Sequence, residues 1–467
     1  MSQVDEPFIE EQSSQTTFQD WNYRAIVFST LSVFLTELYN TMLVTFFTKD
    51  SKERGLSLVI IGWIFSVVYL FNVLASFIVP FVTQRIGGIR ALVLSNLFLT
   101  ITTSTFGLTA LIKSKLPFFW ICFLLRALQG TLTAFSDVCS IGIMMRSSPR
   151  DKVGDCIGIL EAIRFIGAIT GPFIGASIYK ISGYGGPFVF SGSLFLILFI
   201  SMKIFPISKS VDTGRDQENN DSRRNITMTL LRSPIVYVLC ILNVLLTTAL
   251  SFFEPTIQPY LSQPPYNLDQ VAIAGVYTSL CIAFSISATI SPPLTKLLGS
   301  AWSIGIGTFI IGVGYCISYP SEKTDGILSL SSFMYHSTRG GAIAVAVSGM
   351  IITGAGGGLI VGPTNFMMLA EAELNNIGVE IGSDSISCIL NISYGIGCTL
   401  GPTLSGLFTH HLGFPKSCVL LGYIILLSSI IFLVAVHSIL HLRKRNDNQE
   451  EQTGMTDNLL IEDKNDD

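Results

Sequence analysis

Residues 158–175 read Gly158-Ile-Leu-Glu161-Ala-Ile-Arg164-Phe-Ile-Gly167-Ala-Ile-Thr-Gly171-Pro172-Phe-Ile-Gly175. Gly167, Gly171 and Gly175 fall four apart, so on a helix they form one nearly smooth stripe that another backbone can approach closely. Ala176 widens the stripe by one residue. Pro172 withholds a backbone donor inside the same helix, which predicts a bend near its middle. A lone small-x3-small pair is common in membrane helices. Five positions at fixed spacing in one apolar helix predict an element built for close helix contact.

Composition places that helix in a membrane. The chain has 467 residues, 49% hydrophobic and only 13% charged, with a mean hydropathy of +0.57. Soluble chains carry about 25% charged residues. The polar, acidic stretch from Met1 to Trp21 has no apolar core, so no cleavable leader is expected and the first helix acts as its own insertion signal. Nine cysteines are scattered singly without a C-x-x-C pair, which argues against a disulfide framework or a zinc site. Of the histidines, His410, His411, His437 and His441 lie near helix ends and His336 in a loop, so no metal site is expected. There is no P-loop at a helix start. No enzyme activity, ATP-driven transport, cofactor or nucleic-acid partner is expected.

A spanning helix needs about twenty apolar residues. Such runs fall at 24–47, 57–81, 91–112, 117–145, 156–179, 187–207, 234–261, 271–294, 302–320, 342–369, 383–409 and 416–440. The fold expected is therefore all-α and integral to the membrane, with twelve transmembrane helices. A polar linker at 208–233 divides it into six-helix bundles at 24–207 and 234–440, flanked by tails at 1–23 and 441–467. With both termini in the cytoplasm, roughly 17 Lys and Arg face inside and about 9 outside, as the positive-inside tendency requires. In that topology the sequon Asn225-Ile226-Thr227 faces the cytoplasm and stays unmodified.

The two bundles repeat each other. Gly167-x3-Gly171-Pro172 recurs as Gly397-x3-Gly401-Pro402, and Pro80-x2-Thr83-x3-Gly87 as Pro292-x2-Thr295-x3-Gly299. Pseudo-symmetric halves are the build of alternating-access transporters, with the substrate between them near the midplane. The eighth helix carries its own small stripe, Gly275, Ser279, Ala283, Ser287 and Ser291. It is expected to pack on the Gly167 face of the fifth helix, across the seam between halves.

The fifth-helix pattern resembles the antiporter signature of proton-coupled exporters in the major facilitator superfamily. Arg126-x2-Gln129-Gly130 in the fourth helix looks like the R-x-x-Q-G motif of that superfamily, whose arginine is associated with proton coupling. The loop Gln84-Arg85-Ile86-Gly87-Gly88-Ile89-Arg90 resembles its signature after the second helix, with Gln84 in place of the usual acid and Pro80 in place of the opening glycine. Within the superfamily the chain is most similar to the vesicular amine transporters, particularly the polyamine branch. The similarity rests on Phe253-Glu254-Pro255-Thr256, Gly158-Ile159-Leu160-Glu161 and Leu400-Gly401-Pro402-Thr403-Leu404-Ser405-Gly406-Leu407-Phe408. Monoamine and acetylcholine transporters of the group carry aspartates in helices ten and eleven. This chain has Gly354-x3-Gly358-x3-Gly362 in helix ten and Asn391 in helix eleven, which weakens a monoamine assignment.

An ionisable side chain inside the membrane is costly, so each is a functional candidate. Glu37 sits in the middle of helix one. Arg126 has no acid near it in sequence and must find one across helices. Asp137 lies eleven residues beyond Arg126, about 16 Å along the helix, too far to pair with it; it could pair with Arg164. Glu161 and Arg164, three apart, can pair with each other. Glu254 precedes Pro255, which leaves the Ser251 carbonyl without its usual donor and biases Glu254 away from helix. That places a carboxylate beside an exposed carbonyl, a combination suited to a cationic amine and to a competing proton. Tyr39, Trp63, Tyr69, Phe252 and Phe253 could offer cation–π faces.

The leading reading is a monomeric proton/organic-cation antiporter, for polyamines or related amines, in the membrane of a vesicle or other acidic organelle. A plasma-membrane multidrug exporter with the same chemistry is the alternative, and a transport-inactive sensor or scaffold is a third. Asp457-Asn458-Leu459-Leu460 resembles an acidic di-leucine sorting signal and would favour the first.

Overall fold

The computed structural model describes residues 22–147, 153–207, 228–318, 339–375 and 379–462, with 153–155, 157, 379–385, 387 and 443–462 described by backbone alone. The sequon at Asn225, His336, most of the expected linker and the side chains of Leu459 and Leu460 lie outside the described residues. The long helices are α1 (Tyr23–Met42), α2 (Leu58–Ser76), α3 (Gly88–Leu108), α4 (Lys115–Ser147), α5 (Val153–Ser182) and α6 (Gly185–Ile204). The second set is α7 (Pro234–Phe252), α8 (Gln270–Leu298), α9 (Ser300–Ser318), α10 (Arg339–Leu374), α11 (Val379–Leu412) and α12 (Phe414–Glu462). Eleven of them are long and apolar enough to cross a membrane. The remaining one, α11, is 34 residues long but is diluted by Asn391, Ser393, Thr399, Thr403 and its glycines. It can afford that polarity because it lies between α2 and α7. The fold is thus all-α and membrane-integral, and α12 continues without a break past the expected span to Glu462.

Side chains start several of these helices where the first amides lack partners. Asn22 accepts from the Ala25 amide at 3.3 Å, and Asp269 from the Ala272 amide at 3.0 Å. The repeated Pro-x2-Thr-x3-Gly segments end alike: the Gly87 amide reaches the Thr83 carbonyl and the Gly299 amide the Thr295 carbonyl, each at 2.8 Å. Both glycines hold a positive φ, 87° and 84°, which explains glycine at each.

Within the first half, α1 packs on α4, α5 and α6; within the second, α7 packs on α11 and α12. The first helix of each half breaks at its far end. After Met42 come a 3-10 turn (Leu43–Thr45) and a short helix (Phe47–Glu53); after Phe252 come a turn and a short helix (Ile257–Leu261). These segments meet across the halves and bury Phe46, Phe47, Ile257 and Leu261 completely. The seam is therefore closed at the face opposite the chain ends.

Candidate functional site

The break in α7 places Glu254 at the seam. The backbone there tightens rather than opens: the Glu254 amide donates to the Ser251 carbonyl at 3.2 Å, and the Thr256 hydroxyl donates to the Phe252 carbonyl at 3.2 Å. This corrects the expectation of an exposed carbonyl beside the carboxylate. The i→i+3 turn supplies the donor that Pro255 removes. The Glu254 side chain is buried, 7% exposed, and its Oε1 accepts from the Tyr69 hydroxyl at 2.9 Å. Tyr69 belongs to α2 in the other half. The Tyr69 hydroxyl thus makes a hydrogen bond between the halves.

A second charged group lies on the first half. Arg164 of α5 donates through Nε to Glu161 Oε2 at 3.0 Å and through Nη1 to Asp137 Oδ1 of α4 at 3.1 Å. The Glu161 pairing was legible from the i,i+3 spacing, Asp137 was one option offered for Arg164, and the structure joins all three in one cluster. The charges of Arg164, Asp137 and Glu161 also act on Glu37 of α1, which is half-buried. Tyr394 lies on α11, which packs against α2 of the other half. It is 44% exposed, and Asn391, one turn away on the same helix, is also exposed. Tyr277 of α8 is buried on a helix that meets α5 across the seam through the adjacent Thr278. Tyr277 and Tyr394 were missed from sequence. The only available signal was their place on seam helices, and Tyr394 sits three residues from Asn391.

Arg126 does not find an acid. It is 1% exposed, and no carboxylate among the described residues lies within ion-pair distance. Its Nη1 donates to Asn40 Oδ1 at 3.4 Å, its guanidinium lies 5.8 Å from the centre of the Tyr39 ring, and its Nε has no hydrogen-bond partner. Gln129, one turn on, accepts from the Tyr39 hydroxyl at 2.6 Å. The R-x-x-Q spacing thus grips Tyr39 and Asn40 of α1, because α1 and α4 pack directly.

The glycine signature also sits differently from expectation. A Cβ on Gly167 would lie 2.7 Å from the Phe34 carbonyl oxygen, one on Gly171 2.6 Å from that of Leu38, and one on Gly175 2.8 Å from that of Met42. All three neighbours belong to α1, so the stripe packs inside the first half and not on α8. Gly401 of α11 repeats this against the Thr248 carbonyl of α7, at 2.6 Å. The physical reason is the internal symmetry: α5 lies on α1 as α11 lies on α7. Helices α5 and α8 do meet, through another face of α5. Thr278 donates to the Ile169 carbonyl at 3.2 Å, and Phe165 and Phe284 lie 5.1 Å apart. The lower part of the α8 small stripe serves α10, where Gly358 abuts Ala288 and Ser287, and Ser291 donates to the Leu359 carbonyl at 3.1 Å. Pro172 and Pro402 stand inside continuous helices. Gly158 is exposed with open space around it, and Arg85 is exposed in the last turn of a short helix (Val79–Ile86).

Two more links cross the seam: Ser66 and Thr403 hydroxyls at 2.7 Å, and Lys180 with Asp269 at 3.5 Å. Two six-helix halves meeting at α2–α11 and α5–α8, with acids at the seam, match a known build. The family model described as Major Facilitator Superfamily matches residues 29–382.

The chain belongs to the major facilitator superfamily.

Among curated proteins it is similar to the human MFS-type transporter SLC18B1, 25% identical over 88% of this chain and 86% of that protein. It is also similar to the mouse vesicular acetylcholine transporter, 22% identical over 70% of this chain and 57% of that protein. Among solved structures it resembles a bacterial homologue of the human lysosomal transporter Spinster in an inward-facing, unoccupied conformation. That match has a TM-score of 0.72 and 14% identity, and covers 90% of this chain and 98% of the other. This superfamily member is a transporter of a small molecule across a membrane, and not an enzyme.

Proposed function

We propose that the protein is a proton-coupled antiporter of organic cations, polyamines or related amines, working by alternating access in the membrane of an acidic compartment. The observation that carries this is the buried Glu254 carboxylate at a helix break, held by Tyr69 from the opposite half. Either a proton or an ammonium neutralises a carboxylate, so the two compete for it, and that competition is the minimal chemistry of exchange. Because Tyr69 and Glu254 lie on different halves, neutralising Glu254 weakens one tie across the seam. Occupancy is thereby linked to the relative position of the halves. Glu37, Asp137, Glu161 and Asn391 extend the polar surface toward the chain ends. Arg126 ties α4 to the helix that carries Glu37.

The resemblance to vesicular amine transporters supports both the cation and the compartment, with the termini in the cytoplasm and the protein acting as a monomer. The test is uptake of labelled spermidine, serotonin and acetylcholine into reconstituted vesicles under an imposed pH gradient. Each pH unit supplies about 1.4 kcal/mol per proton, so two units drive substantial accumulation. Uptake that persists after the gradient is collapsed, with membrane potential held constant, rejects proton coupling and leaves a facilitator.

A further inference from the structure

We infer that Arg164 determines substrate charge: its guanidinium is a built-in counter-cation that sets how many positive charges the transported molecule carries. The inference rests on the cation-transport reading above. Arg164 is joined to two carboxylates on two helices, Asp137 at 3.1 Å and Glu161 at 3.0 Å, and Glu37 of a third helix packs beside Gly167, one turn along α5 from Arg164. Its side chain is 22% exposed, against 16% for Asp137 and 43% for Glu161, so the cluster is neither sealed in the core nor free in solvent. The next residue on α5, Phe165, packs against Phe284 of α8 at 5.1 Å between ring centres, so the turn that carries Arg164 lies at the seam between the halves.

Within this cluster one fixed cation, Arg164, stands against the carboxylates of Asp137, Glu161 and Glu37. In a site of low dielectric, unbalanced charge is expensive and the net charge of the wall selects the charge of the guest. Arg164 cancels one unit that a substrate ammonium would otherwise have to cancel. Removing it leaves the wall one unit more negative, which favours a guest with one more positive charge. Removing Asp137 instead leaves the wall one unit less negative and favours a guest with one fewer.

A purely structural role, tying α4 to α5, predicts something else: loss of uptake for every cation by a common factor. The experiment compares 1,4-diaminobutane with 1-aminobutane, which share a four-carbon chain and differ by one ammonium. Initial uptake rates are measured for wild type, Arg164→Gln, Arg164→Lys and Asp137→Asn in reconstituted vesicles. We expect the dication-to-monocation ratio of kcat/KM to rise at least tenfold in Arg164→Gln and to stay within threefold of wild type in Arg164→Lys. It should fall at least tenfold in Asp137→Asn. A ratio within threefold of wild type in both Arg164→Gln and Asp137→Asn overturns the inference. If Arg164→Gln does not reach the membrane, Asp137→Asn alone decides. Wild type that takes up neither these two amines nor spermidine, serotonin or acetylcholine defeats the proposed function itself. The charge preference is then read from the shift in melting temperature that each amine produces in the same variants, where an unchanged preference again overturns it.

Discussion

Replacing Glu254 with Gln keeps the size of the side chain and an oxygen for the Tyr69 hydroxyl, but removes the charge. In the native arrangement that hydroxyl lies 2.9 Å from Oε1 in a buried site. A hydrogen bond to a charged group contributes about 1.5–3 kcal/mol and a neutral one about 0.5–1.5. The difference between them is on the order of 1 kcal/mol. Loss of the cation's carboxylate partner adds to this, so the expected fall in proton-driven uptake is at least tenfold, or about 1.4 kcal/mol of transition-state stabilisation. Glu254→Asp should retain part of the activity, because the charge survives at a shifted position. Tyr69→Phe removes the donor and should itself cost about tenfold. In the Glu254→Gln background it should cost less than threefold, since the charged bond is already gone. The assay is a double-mutant cycle on initial uptake rates at substrate concentrations below KM, with surface abundance measured for each variant. If Glu254→Gln transports with unaltered rate and pH dependence, the site assignment fails and Glu37 becomes the leading candidate. If the two substitutions add within about 0.3 kcal/mol, the hydrogen bond carries no coupling.

Gly171→Leu should lower stability and yield of folded protein, because even a Cβ there lies 2.6 Å from the Leu38 carbonyl oxygen. Overpacking of this kind costs about 1–3 kcal/mol, whereas Gly275→Ala, whose nearest neighbour is 3.8 Å away, should melt like wild type; equal melting temperatures for the two variants would refute the packing argument. Arg126→Lys keeps the charge but not the planar reach to Asn40, and should reduce pH-driven uptake more than substrate counterflow; equal losses in the two assays would mean a general defect. Asp50, outside the spans, is held above the usual carboxylate range chiefly by burial, against the opposing effects of Tyr179 and Arg54. The folded state therefore holds that proton more tightly than the unfolded state, so its contribution is fully present below the unfolded value of about 3.9 and is lost as pH rises through the raised one. Asp50→Asn should flatten the pH dependence of the melting temperature over that window, and an unchanged profile would show that Asp50 does not titrate there.

The membrane fold follows from the order of residues alone, because a spanning helix must satisfy its backbone internally and clothe itself in apolar side chains. Both requirements are local and show as runs of about twenty residues. That order also determined the internal repeat, as in Gly87 and Gly299, where a positive φ demands glycine. Ion pairs within reach on one helix, such as Glu161 with Arg164, were legible for the same reason, and Asp137 could be offered as a further partner. Even α11 was found as a span, although seam residues such as Asn391 and Thr403 dilute its apolar character.

Which face meets which neighbour emerges only from the packing of the helices. The Gly167 stripe fixes that a backbone comes close, but α1 and α8 are both eligible, and the sequence of α5 does not name the partner. Arg126 meets Asn40 and Tyr39 instead of an acid because the packing of α1 on α4 places those residues there. Glu254 was visible beside its proline, yet its partner Tyr69 stands 185 residues away and on the other half. Such a contact depends on how two separately folded bundles come together, a relation between distant surfaces that no local pattern encodes.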